Sequence, residues 1–247
     1  MPRTLAEWLA YQESVHPRSI ELGLERVRAA WERMGAPSPA RRVIAVGGTN
    51  GKGSSVALLE AMLAAAGLRV GCYTSPHLLA YNERIRIDGA DVDDQALIAA
   101  FERIEAARGE IPLTYFEYGT LAALDLCARA GLDAAVLEVG LGGRLDAVNI
   151  VDADAALITT IDLDHQDWLG PDRDSIGREK AGIARAGRPA VVGEAEPPQG
   201  LLAALAERGA RVSCAGSDFR VERVAGQGGW RWRHADGSVL ELPAPLL

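Results

Sequence analysis

The stretch Val43-Ile44-Ala45-Val46-Gly47-Gly48-Thr49-Asn50-Gly51-Lys52-Gly53-Ser54-Ser55 constrains this chain most. Four apolar, mostly β-branched residues read as a short buried strand. A glycine-rich turn follows, and Lys52 with two serines opens a helix that continues through Met62. Strand, glycine-rich loop and helix N-terminus together form a phosphate cradle, because backbone N–H groups converge there and the helix dipole favours an anion. Lys52 adds a full positive charge for the β- and γ-phosphates.

The strict phosphate-loop pattern is glycine, four residues, Gly-Lys, then serine or threonine. Here Val46 stands where the first glycine belongs, and Gly53 follows Lys52, so the hydroxyl arrives one place late at Ser54. A glycine-rich β–α turn with a surface lysine is the plainer alternative. The departure is informative, since Thr49-Asn50-Gly51-Lys52-Gly53-Ser54 resembles the phosphate loop of the Mur ligase superfamily. Within that superfamily it resembles the dihydrofolate and folylpolyglutamate synthase branch. The resemblance implies ATP binding by Asn50, Gly51, Lys52, Gly53 and Ser54.

Composition sets wider bounds. The 247 residues are 48% hydrophobic and 24% charged, which is globular and sufficient for a real core. A net charge of −8 argues against nucleic-acid binding but not against ATP. The three cysteines, Cys72, Cys127 and Cys214, show no metal-ligand spacing and read as small buried hydrophobes in a reducing, cytoplasmic setting. Glu7, Gln12 and Glu13 interrupt any signal-peptide core, and no apolar run is long enough for a membrane span. A monomer with no nucleic-acid or membrane partner is expected.

Thr4 caps a first helix, with Glu7 completing a capping box. A second helix is expected from about Ser19 to Met34, ended by Gly35 and Pro37. Gly23 inside it admits either a close ligand or tight helix packing. The resemblance places Glu21, Leu22, Gly23 and Leu24 against a pteroate substrate.

Arg69–Tyr73 reads as the next strand, ending in Thr74-Ser75-Pro76-His77. Polar residues at such a strand end lie where open α/β sheets bind ligands. Ser75 is either a turn residue before Pro76 or an oxygen ligand to a hard metal; the family's Ser-Pro-His segment implies the metal role. Tyr81–Ile87 reads as a loop entering a strand, Asp88-Gly89 as its turn, and Asp93 as the cap of a helix reaching Arg108. Thr114-Tyr115-Phe116-Glu117 fits a core helix with aromatics. The resemblance makes these residues a wall of the pteroate pocket, with Phe116 stacking on the pterin.

Ala134–Leu137 is an apolar strand ending in Glu138, opposite the phosphate loop. Such a carboxylate holds Mg²⁺ or orients a water, unless it is a solvated strand end. The run Glu138-Val139-Gly140-Leu141-Gly142-Gly143-Arg144-Leu145-Asp146 matches the folate branch closely, and implies that Leu145, Asp146 and Ala147 touch pteroate. Ala155–Ile161 is another strand. It delivers Asp164 and His165 to the same edge, and His165 matches the family's metal-ligating histidine although Mg²⁺ prefers oxygen. Read alone, Lys180 is a solvated helix lysine; in the family the lysine of Glu-Lys-Ala-Gly is often carbamylated and then binds a second Mg²⁺.

A helix at about 200–208 and short strands at 219–224, 230–233 and 239–242 close the chain, the last with an Asp236-Gly237 turn. The expectation is one α/β domain over 1–247. It holds a mostly parallel sheet with a phosphate loop and flanking helices, of the Mur ligase central-domain type, and a small β segment over 210–247. The resemblance implies an ATP-dependent ligase that joins L-glutamate to dihydropteroate or folate through an acyl phosphate. Lys52, Glu138, His165 and Lys180 would carry the chemistry, Ser75, Glu138, His165 and Lys180 the metal. The family also continues past this sequence, with a Pro-Asn-Ala segment and a Rossmann-like domain. The chain is therefore expected to be a truncated fragment that does not turn over alone. A cell-wall Mur ligase, another phosphate-loop enzyme and a non-catalytic nucleotide- or folate-binding fragment remain as alternatives; no Asn-Lys-x-Asp base-reading motif favours a GTPase.

Overall fold

The structure is a computed structural model and describes residues 4–16, 18, 20–224 and 229–243. Helices α1 (Leu5–Val15) and α2 (Glu25–Arg33) precede the first strand. The phosphate-loop unit follows as β1 (Arg42–Gly47) and α3 (Lys52–Ala65). Then come β2 (Val70–Tyr73), β3 (Ile85–Ile87), β4 (Ala90–Asp91), α4 (Asp94–Arg108), α5 (Tyr115–Ala130) and β5 (Ala134–Glu138). The chain proceeds through β6 (Ala155–Ile158), a short α6 (Gln166–Leu169), α7 (Arg173–Lys180), β7 (Pro189–Val192), α8 (Gln199–Glu207) and β8 (Arg211–Cys214).

These eight strands form one sheet in the order β4-β3-β2-β5-β1-β6-β7-β8, with β1 inside it. The pairs among β2, β5, β1, β6, β7 and β8 are parallel, while β3 and β4 add an antiparallel edge. Near-continuous apolar runs suit strands covered on both faces. Alternation then sorts the two sides. Val43, Ala45, Ala135 and Leu137 join the larger core, and Val46, Val56, Val70, Cys72 and Val136 join a smaller one under α3. Register pairs Val46 with Glu138 and Gly47 with Ile158, so the ends of β1, β5 and β6 arrive together. Ligands bind at that edge of an open parallel sheet.

Three expectations change. The second helix begins at Glu25, not near Ser19, which lies outside the described residues. Gly23 has φ +148°, outside the helical region, and its N–H bonds the Leu145 carbonyl at 3.3 Å. Glu21 to Gly23 therefore form a loop laid across the later chain. Strands β7 and β8 were not foreseen. Because β8 pairs with β7, the segment expected from 210 onward divides. Only β9 (Phe219–Arg223), β10 (Trp230–His234) and β11 (Val239–Leu242) make the small antiparallel sheet, and 244–247 lie outside the described residues.

Candidate functional site

The phosphate loop is pinned from behind by the segment that follows β6. Thr49 N–H donates to the Thr160 carbonyl at 2.7 Å, and Thr159 Oγ1 donates to the Asn50 carbonyl at 2.6 Å. Gly48 is required here, since its φ is +141° and an added Cβ would fall 1.9 Å from Thr159 Oγ1. Gly51 enters α3 in the left-handed region, and no side chain caps the helix. The first-turn N–H groups therefore have no side-chain cap, the arrangement that suits an anion. Lys52 folds over the loop, its Nζ donating to the carbonyls of Gly48 at 3.1 Å and Thr49 at 3.2 Å.

Lys180 is not a solvated helix lysine. It is 3% exposed, and its Nζ donates to the same Gly48 carbonyl at 2.9 Å. Burial, then the neighbouring Lys52 charge, pull its pKa down to about 8 against the opposing pull of Asp164 and Asp146. The strand end does not leave Glu138 solvated either. It is 4% exposed, its Oε2 accepts the Ser75 N–H at 3.1 Å, and burial raises its pKa despite that bond and the charges of Lys52 and Arg86. The Cβ position of Gly53 lies 3.7 Å from the same oxygen, so the helix N-terminus and the carboxylate face each other. Glu138, Gly51, Gly53, Ser54 and Ser75 share a cleft of about 620 Å³.

A second cleft, of about 400 Å³, opens beside it. Leu22, Phe116, Leu141 and Ala147 supply apolar wall, and Lys52, Ser75 and His165 stand in the same lining. Ser75 and Pro76 border both clefts and form their common wall. Phe116 packs on Gly140, where a Cβ would come within 2.5 Å of its ring. Thr114 caps α5 and Glu117 returns the bond, accepting Thr114 N–H at 2.7 Å. The Glu117 carboxylate also accepts from Arg26 at 3.2 Å, and Arg26 in turn holds Glu21 at 2.7 Å. Asp146, 2% exposed, accepts N–H groups of Leu141 and Val148, yet burial lifts its pKa to about 6.

Most expected substrate-wall residues therefore converge: Glu21, Leu22, Gly23, Thr114, Phe116, Glu117, Leu145, Asp146 and Ala147 all line the second cleft. Leu24 and Tyr115 do not. Leu24 is the residue preceding α2, and the Tyr115 ring packs edge-on against Tyr81 at 5.7 Å. His165 sits at φ +47° with a half-exposed ring 3.5 Å from Asp164. Among the described residues no three His, Cys, Asp or Glu side chains cluster as a metal site; the expected set holds two, Glu138 and His165, with the Ser75 hydroxyl. Sequence reading gave no role to Arg26, Thr159 or Arg84, whose contacts are made with residues remote in sequence or through the folded loop.

Residues 46–217 match the Mur ligase middle domain family. The dihydrofolate synthase/folylpolyglutamate synthase of Escherichia coli K12 is 52% identical over 243 residues, covering 98% of this chain and 57% of that protein. The chain thus spans little more than half the length of that curated relative. A solved structure of E. coli FolC in complex with DHPP and ADP superposes with a TM-score of 0.96 at 51% identity, covering 100% of this chain and 60% of the other. A bifunctional folylpolyglutamate synthase/dihydrofolate synthase with Mn, AMPPNP and L-glutamate bound gives 0.89 at 51% identity, covering 98% and 57%.

Proposed function

The chain belongs to the Mur ligase family, and from that premise we propose that it forms the nucleotide- and pterin-binding part of an ATP-dependent ligase. The substrates are dihydropteroate or a folate, L-glutamate and ATP, and a cytoplasmic location goes with that reading. Among the described residues no helix is long and apolar enough to cross a membrane. The observation that carries the proposal is the single cleft holding both the Phe116 wall and Lys52. The relatives' complexes with DHPP and ADP, and with Mn, AMPPNP and L-glutamate, support the same substrate set.

The chemistry runs in two steps. The pterin lies against Phe116, with Asp146 and the Leu145–Ala147 backbone along its edge, which aims the aryl carboxylate at the phosphate loop. A carboxylate oxygen bonds the γ-phosphorus as the bridging oxygen leaves with ADP. The uncapped N–H groups at the start of α3 and the Lys52 ammonium stabilise charge on the transferring group. The glutamate amine then attacks the acyl carbon, loses a proton, and expels phosphate. Fixed placement of both reactants supplies much of the rate.

The residues present fit a divalent ion. Glu138 is a buried carboxylate whose ionised form is met by one backbone N–H, and a hard cation beside it would complete its pairing. Glu138, Ser75 and His165 would hold Mg²⁺, with a carbamylated Lys180 serving a second ion. Bound there, Mg²⁺ supplies neutralisation of phosphate charge.

ADP release is the assay, run on a chain of its relatives' full length with ATP, dihydropteroate and L-glutamate and with each omitted in turn. Release requiring all three, and lost in Lys52→Ala, is expected. Undiminished release in that variant, or release driven by a muramyl substrate instead of a pterin, overturns the proposal.

A further inference from the structure

Arg84 stands one residue before β3, at the corner where that strand pairs with β2. Its carbonyl accepts the Thr74 N–H at 2.8 Å, which fixes the residue against the segment bearing Ser75 and Pro76. Although Arg84 is only 8% exposed, its side chain lines the pterin cleft. Its side-chain contacts are to a ring nitrogen, two aromatic faces and a hydroxyl. Nε donates to His77 Nδ1 at 2.9 Å, and the guanidinium lies over the rings of Tyr81 at 5.2 Å and Tyr115 at 5.7 Å. The Tyr73 hydroxyl is beside it.

Other arginines withdrawn from solvent are matched by acids. Arg26 pairs with Glu21 and Glu117, Arg86 with Glu60, and Arg108 with Glu105. No ion pair with a carboxylate involves Arg84 among the described residues. A guanidinium stays charged at every physiological pH, and burying it with no anion is costly. Aromatic faces offset part of that cost, and no carboxylate among the described residues completes the offset where Arg84 lines the cleft. The group that matches a guanidinium fork is a carboxylate, which accepts two parallel N–H bonds. Lys52 is committed elsewhere, since its ammonium rests on the loop carbonyls of Gly48 and Thr49 and serves the phosphoryl group held by that loop.

We propose that Arg84 is the docking group for the carboxylate at the aryl end of the pterin substrate. It is a specificity-determining residue, which selects a charged aryl tail over a neutral one and holds that tail on the wall shared with the phosphate cleft. The inference rests on the pterin reading of the cleft.

Binding separates the two. Pteroate and its decarboxylated analogue, which lacks only the aryl carboxylate, are titrated calorimetrically against the wild type, Arg84→Gln and Arg84→Lys, with circular dichroism to confirm folding. A charge-assisted pair predicts about 10- to 100-fold preference for pteroate in the wild type. Arg84→Gln should lose that preference while binding the analogue as before, and Arg84→Lys should retain part of it. Equal binding of both ligands by the wild type overturns the inference without recourse to any variant. So does an undiminished preference in folded Arg84→Gln. Binding of neither ligand by the wild type defeats the pterin reading itself, and is told apart by that result.

Discussion

Lys180 offers a quantitative handle on the phosphate site. A fall of its pKa from 10.5 to about 8 corresponds to about 3 kcal/mol in favour of the neutral amine. At pH 8 about half of Lys180 is then neutral, against about 0.3% for a lysine titrating at 10.5. Only the neutral amine adds CO₂, so Lys180 should be carbamylated far more readily than a solvated lysine. The assay is carbon-13 NMR of the protein in labelled bicarbonate, with Lys180→Ala as the control spectrum. Stability supplies the second readout, in CO₂-free buffer. The unfolded chain binds the extra proton between about pH 8 and 10.5, so the Lys180 contribution to stability rises with pH across that window. Lys180→Met removes the buried charge and also the hydrogen bond to Gly48, worth about 1 kcal/mol. That variant should exceed the wild type by about 2 kcal/mol at pH 7 and lose the advantage by about pH 10. Urea unfolding at both pH values measures it. No carbamate signal that depends on Lys180, together with a stability difference that ignores pH, would refute the reasoning.

Further expectations concern the two clefts. Gly140→Ala should push Phe116 from its seat, weaken pteroate binding and lower stability by about 1–3 kcal/mol, as read by ligand fluorescence and urea unfolding, while nucleotide affinity holds. Asp146 has its folded pKa raised from 3.8 to about 6, so its contribution to stability falls by about 3 kcal/mol as pH rises through that window. Asp146→Asn should flatten that slope in unfolding curves at about pH 4 and pH 7. Glu138→Gln removes a buried charge, so it should keep or raise stability while cutting Mn²⁺ affinity, measured by electron paramagnetic resonance, at least about tenfold. Unchanged Mn²⁺ binding would remove Glu138 from the metal set.

The legible parts of this chain are those whose physics is local. Val43 to Val46, the glycines and Lys52 announce strand, loop and helix because each residue type answers a backbone demand at its own position. The turn at Asp88-Gly89 and the caps at Thr4 and Asp93 are of the same kind, and the structure shows each. The pterin wall was legible only through resemblance, since nothing in the spacing of Glu21, Phe116 and Asp146 says that they meet. Residues 20–24 looked helical because Gly23 was the only breaker, and the tie to Leu145 that holds the loop is non-local. Strands β7 and β8 have four residues each, too few for a period to declare itself. Lys180 reads as solvent-facing among Arg178 and Glu179, and the Gly48 carbonyl that its ammonium meets is remote in sequence, in the loop after β1. Arg84 looks like one more charge in a polar loop, and its isolation from acids is a fact of tertiary packing.

The central claim is that one cleft aims a pteroate carboxylate at the nucleotide phosphates. Paramagnetic relaxation tests it directly. Mn²⁺ and AMPPNP are bound to the protein, pteroate is added, and the relaxation of its benzoyl and pterin protons is compared. The benzoyl protons, next to the carboxylate, should relax faster than the pterin C7 proton, and Glu138→Gln should abolish the difference. Equal relaxation at both ends, or faster relaxation at the pterin, would mean that the ligand lies the other way or elsewhere, and the account would be wrong.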